Sequence, residues 1–252
     1  AINSYSRFLM TPGASTLEEY KNAEYNLAYC YFKLEDYENA SSHFRKYINA
    51  SPNSRTEKMA DALNRVGDYY FLNTDYERAL QNYRQSYGMK IYDADYALYQ
   101  IAFCQGLQRN QQGKIDNLEK LLTEFPESDF EDDAFYELGR AYERLGQNQK
   151  AVQQYQAIAN NYPESNFYRK ALLQLGLISY NSSDYNKSLS YYKQVNENFP
   201  GTPEADAALL GIKNSYVELN NIDGYFAYAK NAGSRTTVTV SEQDSLTFLA
   251  AE

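Results

Sequence analysis

The sequence predicts an all-α protein built as a solenoid of antiparallel helix pairs, and three observations predict it. First, a pattern of fixed spacing recurs along the chain, most plainly as Phe135-x2-Leu138-Gly139-x2-Tyr142, then Ala151-x3-Tyr155, then Pro163. Second, the small residue of the Leu-Gly pair returns at positions 28, 67, 102, 139, 176, 211 and 250, in steps of 35 to 39 residues. A period of this size marks a stacked array, in which each unit buries its apolar face against its neighbours. Third, the composition suits long helices with short connections. Hydrophobic residues make up 43%, too many for a disordered chain, and there are only six prolines.

The anchor unit, from Phe135 to Pro163, shows why the spacing matters. Gly139 and Ala151 are small where two helices must approach closely, and Leu138, Tyr142 and Tyr155 fill the space around them. Gly146 supplies the turn, and Pro163 ends the second helix because it lacks an N–H. The pattern resembles the tetratricopeptide repeat (TPR), whose signature runs aromatic-x2-Leu-Gly-x2-Tyr, Ala-x3-Phe, Pro. The resemblance implies a TPR-type right-handed α-solenoid of antiparallel helix pairs. The steps exceed the 34 residues of the TPR norm, with much of the excess after the proline, as in Pro126-Glu127-Ser128 and Pro163-Glu164-Ser165. That phrasing resembles bacterial envelope TPR proteins, the BamD-like lipoproteins and the Tol-associated proteins.

In chain order, Ala1-x3-Tyr5-x2-Phe8 before Pro12 matches Ala40-x3-Phe44-x2-Tyr47 before Pro52. Residues 1–13 therefore read as the second helix of an earlier repeat, and the chain is expected to begin inside a longer array. Repeats are expected near 18–53, 57–91, 94–127, 131–164, 168–201 and 203–232. The first has Leu27-Ala28-x2-Tyr31, and the second has Val66-Gly67-x2-Tyr70 with Ile91 where the proline is usual. In the third, Ile101-Ala102 stands for Leu-Gly and Lys114 falls where a small residue is expected. The fifth has Leu175-Gly176, Ser188-x3-Tyr192 and Pro200. The sixth has Leu210-Gly211 and then decays at Asp223-Gly224. Ser54-x2-Glu57 and Ser128-x2-Glu131 are expected to be capping boxes. Ser234–Val240 reads as an extended linker, and 241–252 as the opening of a further repeat.

The residues that carry chemistry elsewhere are sparse. The one histidine, His43, is expected as a solvated side chain on the outward side of a second helix, with no second histidine to share a metal. Glu131, Asp132 and Asp133 fall in a first helical turn, where carboxylates favour the helix dipole. Cys30 and Cys104 occupy equivalent places two repeats apart, too distant for a disulfide, and are expected to be buried free thiols. No metal, no cofactor and no catalytic residue is expected. A net charge of −9 with no basic cluster argues against nucleic acid, and no apolar run is long enough to cross a membrane.

In TPR arrays the first helices line the concave face, and the resemblance places groove residues one after and three before the Gly position. Here these are Tyr25 and Tyr29, Asn64 and Asp68, Tyr99 and Phe103, then Tyr136 and Arg140. Flanking sites add Phe32, Asp61, Phe71, Tyr96, Asp133, Glu143 and Tyr180, while later repeats turn apolar at Leu173, Leu177, Ala208 and Ile212. A tyrosine-rich row offers large contact area with a polar tip and suits a peptide or protein partner. The competing reading is that part of the row packs on neighbouring repeats. The resemblance implies a clamp for a C-terminal carboxylate only where Lys stands three before the Gly position; Tyr25, Tyr99 and Tyr136 stand there instead, so a carboxylate clamp is not expected.

The function expected is a non-enzymatic protein-interaction scaffold in bacterial envelope assembly, in the periplasm or at the outer membrane. The alternative is a glycan-binding module of the SusD-like outer-membrane type, against which stand the absence of Trp and the regularity of the repeats.

Overall fold

The computed structural model describes residues 1–231. The expected linker Ser234–Val240 and the helix expected over 241–252 lie outside the described residues. The chain divides into two compact units, residues 1–134 and 135 onward. The first holds α1 (Ile2–Leu9), α2 (Glu19–Phe32), α3 (Tyr37–Ala50), α4 (Glu57–Leu72), α5 (Tyr76–Met89), α6 (Ala94–Leu107) and α7 (Gln111–Glu124). The boundary falls within α8 (Glu131–Arg144). The second unit continues with α9 (Asn148–Asn161), α10 (Tyr168–Asn181), α11 (Tyr185–Asn198), α12 (Pro203–Glu218) and α13 (Ile222–Asn231). There is no strand among the described residues. From α1 to α7 each helix packs on the next, with α4 also touching α6; α9 to α13 repeat the scheme, with α10 touching α12.

Close helix approach is bought with glycine. A β-carbon on Gly67 would stand 2.6 Å from Tyr83 Cε1, and one on Gly176 2.6 Å from Tyr192 Cδ1. Each of these tyrosine rings belongs to the second helix of the same pair and is buried. At the third repeat, where Lys114 replaces the small residue, the room comes from the other side. Lys114 is buried with its stem against Gly106, where a β-carbon would meet Lys114 Cδ at 2.9 Å.

The turns inside the pairs share one backbone solution. Glu35, Thr74, Arg109, Gly146, Ser183 and Asn220 all sit at positive φ, and only one of the six is glycine. In most of these turns the next residue then caps the second helix: the backbone N–H groups of Asn39, Arg78, Gly113 and Lys187 donate to the side chains of Asp36, Asp75, Asn110 and Asp184.

Neither expected capping box forms. The cap of α4 is Thr56, whose Oγ1 accepts from Met59 N–H, because α4 begins two residues later than Ser54 requires. Ser128 instead closes a tight turn ahead of α8: its Oγ accepts from Phe130 N–H at 3.2 Å and donates to Asp95 Oδ2 at 2.6 Å. Ser165 makes the same turn before α10, accepting from Phe167 N–H at 2.9 Å. These serines place a phenylalanine, Phe130 or Phe167, at the mouth of the next helix.

Candidate functional site

In the first unit the candidate site grows from one stripe of α4. Asp61, Arg65 and Asp68 lie four and three residues apart and so share a helix face. Asp61 is buried, and its Oδ2 accepts from the hydroxyls of Tyr25 at 2.7 Å and Tyr29 at 2.6 Å. Arg65 reaches both carboxylates, with Nε 3.4 Å from Asp61 Oδ1 and Nη1 2.6 Å from Asp68 Oδ2. Asp68 Oδ1 also accepts from Tyr83 at 2.8 Å and Tyr96 at 2.6 Å. The guanidinium lies over the rings of Phe32 at 5.9 Å and Tyr96 at 5.4 Å. Four helices, α2, α4, α5 and α6, are thereby tied through one buried polar network.

Burial governs the titration of this network. It raises the pKa of Tyr25, Tyr29, Tyr83 and Tyr96, and the carboxylates beside them push the same way. These hydroxyls stay protonated as donors. Burial also raises the Asp68 carboxyl above its ordinary range, against the pull of Arg65 and of the Tyr96 and Tyr83 hydroxyls. For Arg65 burial opposes the cation, yet the charges of Asp68 and Asp61 raise its pKa overall.

Beside the network opens a cavity of about 280 Å³, walled by Phe32, Ser41, Phe44, Phe71, Tyr83 and Tyr96 with the Arg65–Asp68 pair at one side. Ser41 is 1% exposed, and its Oγ has no hydrogen-bond partner.

The expected groove residues fare unequally. Asn64 is fully buried, donating through Nδ2 to Asp93 O at 3.4 Å while its Oδ1 has no partner. Tyr99 is 9% exposed, because Phe130 stacks on it at 5.1 Å and its hydroxyl donates to Asp133 Oδ1 at 3.1 Å. Phe103 is half-buried, with Lys114 Nζ 5.4 Å from its ring centroid. Tyr25, Tyr29, Asp68 and Tyr96 are half-buried around the Arg65 network.

In the second unit, Tyr136 is half-buried and stacked on Phe167 at 4.7 Å, the counterpart of the Tyr99–Phe130 stack. Arg140 is exposed and pairs with the buried Glu137 at 3.1 Å. Tyr180 is half-buried and donates to Glu218 Oε1 at 3.3 Å. An apolar hollow beside it is lined by Leu173, Leu177, Tyr192, Leu210 and two amides, Asn181 and Asn214.

Two expectations are corrected. His43 does not face solvent: its side chain is 15% exposed, its Nδ1 lies 2.5 Å from Glu24 Oε2, and its ring stacks on Tyr31. Glu24 is wholly buried and needs a partner, which turns His43 back toward α2. Cys104 is fully buried as expected, and burial pushes its thiol up to about 12, but Cys30 is only half-buried. Sequence reasoning missed Arg65, Tyr83 and Ser41. The Asp61-x3-Arg65-x2-Asp68 spacing was the available signal for the first, whereas nothing local marks Ser41.

Sequence profiles described as tetratricopeptide repeat match residues 20–91, and again 96–128, 133–165 and 170–202. No curated protein sequence matches the chain. Among solved structures, it is similar to a tetratricopeptide repeat protein from Parabacteroides merdae, at 15% identity over 91% of this chain and 85% of that one, with a TM-score of 0.63. It is similar to YrrB, described as a TPR protein with an unusual peptide-binding site, at 14% identity over 84% of this chain and 100% of that one, TM-score 0.62. PilF of Pseudomonas aeruginosa is similar at 16% identity over 93% of this chain and 99% of that one, TM-score 0.59. Repeat signature, helix pairing and profile matches agree over more than half the sequence: the chain belongs to the tetratricopeptide repeat family.

Proposed function

We propose that the chain is a non-enzymatic scaffold that binds a peptide or protein partner on the faces of its first helices, in assembly of the bacterial envelope. One observation carries the reading. Between successive helix pairs of the first unit lies an aromatic-walled cavity whose charged groups are already paired with one another, which suits binding better than chemistry. Asp68 and Tyr96 line it, the half-buried Tyr25, Tyr29 and Phe103 extend the proposed face beyond its lining, and Asn64 and Tyr99, both buried, belong to that face only through packing. In the second unit Tyr136, Arg140 and Tyr180, with the exposed Leu177 and Leu210, form the corresponding face. The envelope assignment rests on the Phe-Pro-x-Ser and Tyr-Pro-x-Ser phrasing of the connecting turns. Among the described residues no helix is long and apolar enough to cross a membrane.

Selection of peptides from a displayed library against the purified chain tests the reading. Selected peptides should lose affinity with Phe71→Ala, or with Leu177→Asp combined with Leu210→Asp, and keep it with Arg84→Ala on the exposed side of α5. Failure to select any peptide, or sensitivity to Arg84→Ala alone, would remove the first-helix faces from the proposal. Fractionation of cells carrying the full-length protein tests the envelope assignment separately, and recovery in the cytosolic fraction would overturn it.

A further inference from the structure

We propose that the cavity between α2, α3, α4, α5 and α6 is a receptor for one tryptophan side chain of the partner, an inference that rests on the scaffold reading and specifies its ligand.

Size is the first argument. A cavity of about 150 Å³ holds a benzene ring. At about 280 Å³ this cavity has nearly twice that room, enough for a fused bicyclic ring. A lone phenyl group or a leucine side chain would leave part of it empty, and unfilled contacts are lost contacts.

The walls give the second. Phe32, Phe44, Phe71, Tyr83 and Tyr96 present rings from five different helices. Tyr83 and Tyr96 are already set edge-to-face, with centroids 6.4 Å apart. Such walls favour an aromatic guest, whose faces and edges both find partners.

Charge and hydrogen bonding give the third. Arg65 is shared between Asp61 and Asp68, so two carboxylates face a single cation, and an anionic guest is disfavoured. Asp68 Oδ1 accepts two hydrogen bonds, but Oδ2 accepts one, from Arg65, and keeps acceptor capacity. Ser41 lines the same cavity, and its Oγ is buried without a partner, at the cost every such group carries. A neutral ring with one N–H donor satisfies either oxygen. Indole is that group, since its Nε1–H donates and accepts nothing. These 252 residues hold no tryptophan, so none of them in a second copy can supply the guest.

The same absence supplies the assay, because tryptophan fluorescence excited at its red edge reports the guest alone. N-acetyltryptophanamide should bind in the millimolar range with a blue-shifted emission. Its 1-methyl analogue, which lacks the N–H, should bind about 3- to 10-fold more weakly, as one hydrogen bond is worth. The phenylalanine and leucine amides, followed by competition, should bind more weakly still. Phe71→Ala should abolish the shift, and Ser41→Ala should narrow the difference between the indole and its methyl analogue, with melting curves confirming that both variants fold. Equal binding of the leucine amide, no shift at all, or a shift indifferent to Phe71→Ala would each overturn the assignment. Library peptides separate the two proposals. If they bind but lack tryptophan and ignore Phe71→Ala, the scaffold stands and the tryptophan receptor falls. If no peptide binds while the indole amide does, the cavity takes an indole but the scaffold reading falls, and with it the assignment of that indole to a partner's tryptophan.

Discussion

A β-carbon built on Gly139 would stand 2.6 Å from Cζ of Tyr155, inside the ring's van der Waals envelope. Tyr155 cannot yield easily. It is fully buried, and its hydroxyl donates to Glu143 Oε2 at 2.6 Å. Gly139→Ala, although the smallest possible change, should therefore cost about 1–3 kcal/mol through overpacking. Gly88, near the end of α5, gives the control, since a β-carbon there would meet nothing within 4 Å. Gly88→Ala should stabilise by about 0.5–1 kcal/mol through backbone entropy. Denaturant midpoints of the two variants should move in opposite directions; a neutral Gly139→Ala would mean that the helix pair does not need this contact.

That contact was legible in the sequence because the repeat signature names both partners. Fold class, helix pairing and small-residue positions all follow from a period that every unit repeats. The site was read less well, for a physical reason. Position in the repeat tells which way a side chain leaves its helix, but not what covers it afterwards. Tyr99 and Tyr136 leave their helices toward the expected groove, and the turns at Ser128 and Ser165 then lay Phe130 and Phe167 across them. His43 was misplaced for a similar reason, since its partner Glu24 lies on another helix 19 residues away. The Arg65 network is likewise distributed over four helices and has no single local pattern.

Thr74 tests the turn geometry. It is exposed, β-branched and held at φ 59°, a conformation that costs an L-residue about 1–2 kcal/mol. The equivalent turn of the fourth repeat uses Gly146 at φ 68°. Thr74→Gly should thus stabilise the first unit by about 0.5–1 kcal/mol, the relief of strain exceeding the added entropy of the unfolded chain. Thermal melting decides it, and a lower midpoint would show that the Thr74 side chain contributes something the geometry does not reveal.

The two cysteines should separate kinetically. Cys104 is fully buried with a thiol pushed up to about 12, so almost none of it is thiolate near neutral pH. Cys30 is half-buried on α2. Native labelling followed by mass spectrometry should modify Cys30 first and leave Cys104 intact until denaturant is added. Equal native rates, or faster labelling of Cys104, would contradict the packing of α6.

The last prediction concerns pH and the centre of the Arg65 network. Burial raises the Asp68 carboxyl above its ordinary value of 3.8, so the folded chain keeps this proton to higher pH than the unfolded chain does. In the window above 3.8 the native state binds more protons at this site, and stability falls as pH rises. The contribution of Asp68 is therefore complete below that value and lost as pH climbs through the folded pKa. Asp68→Asn removes this dependence while keeping an oxygen toward Tyr83 and Tyr96; the lost attraction to Arg65 adds an offset in the pH range where Asp68 stays ionised. Measured against the variant, wild-type stability should decline as pH is raised from about 3.8, then level off once Asp68 is ionised in both states. A difference that rises with pH over the same window would mean that Arg65 and the tyrosine hydroxyls outweigh burial at this carboxylate.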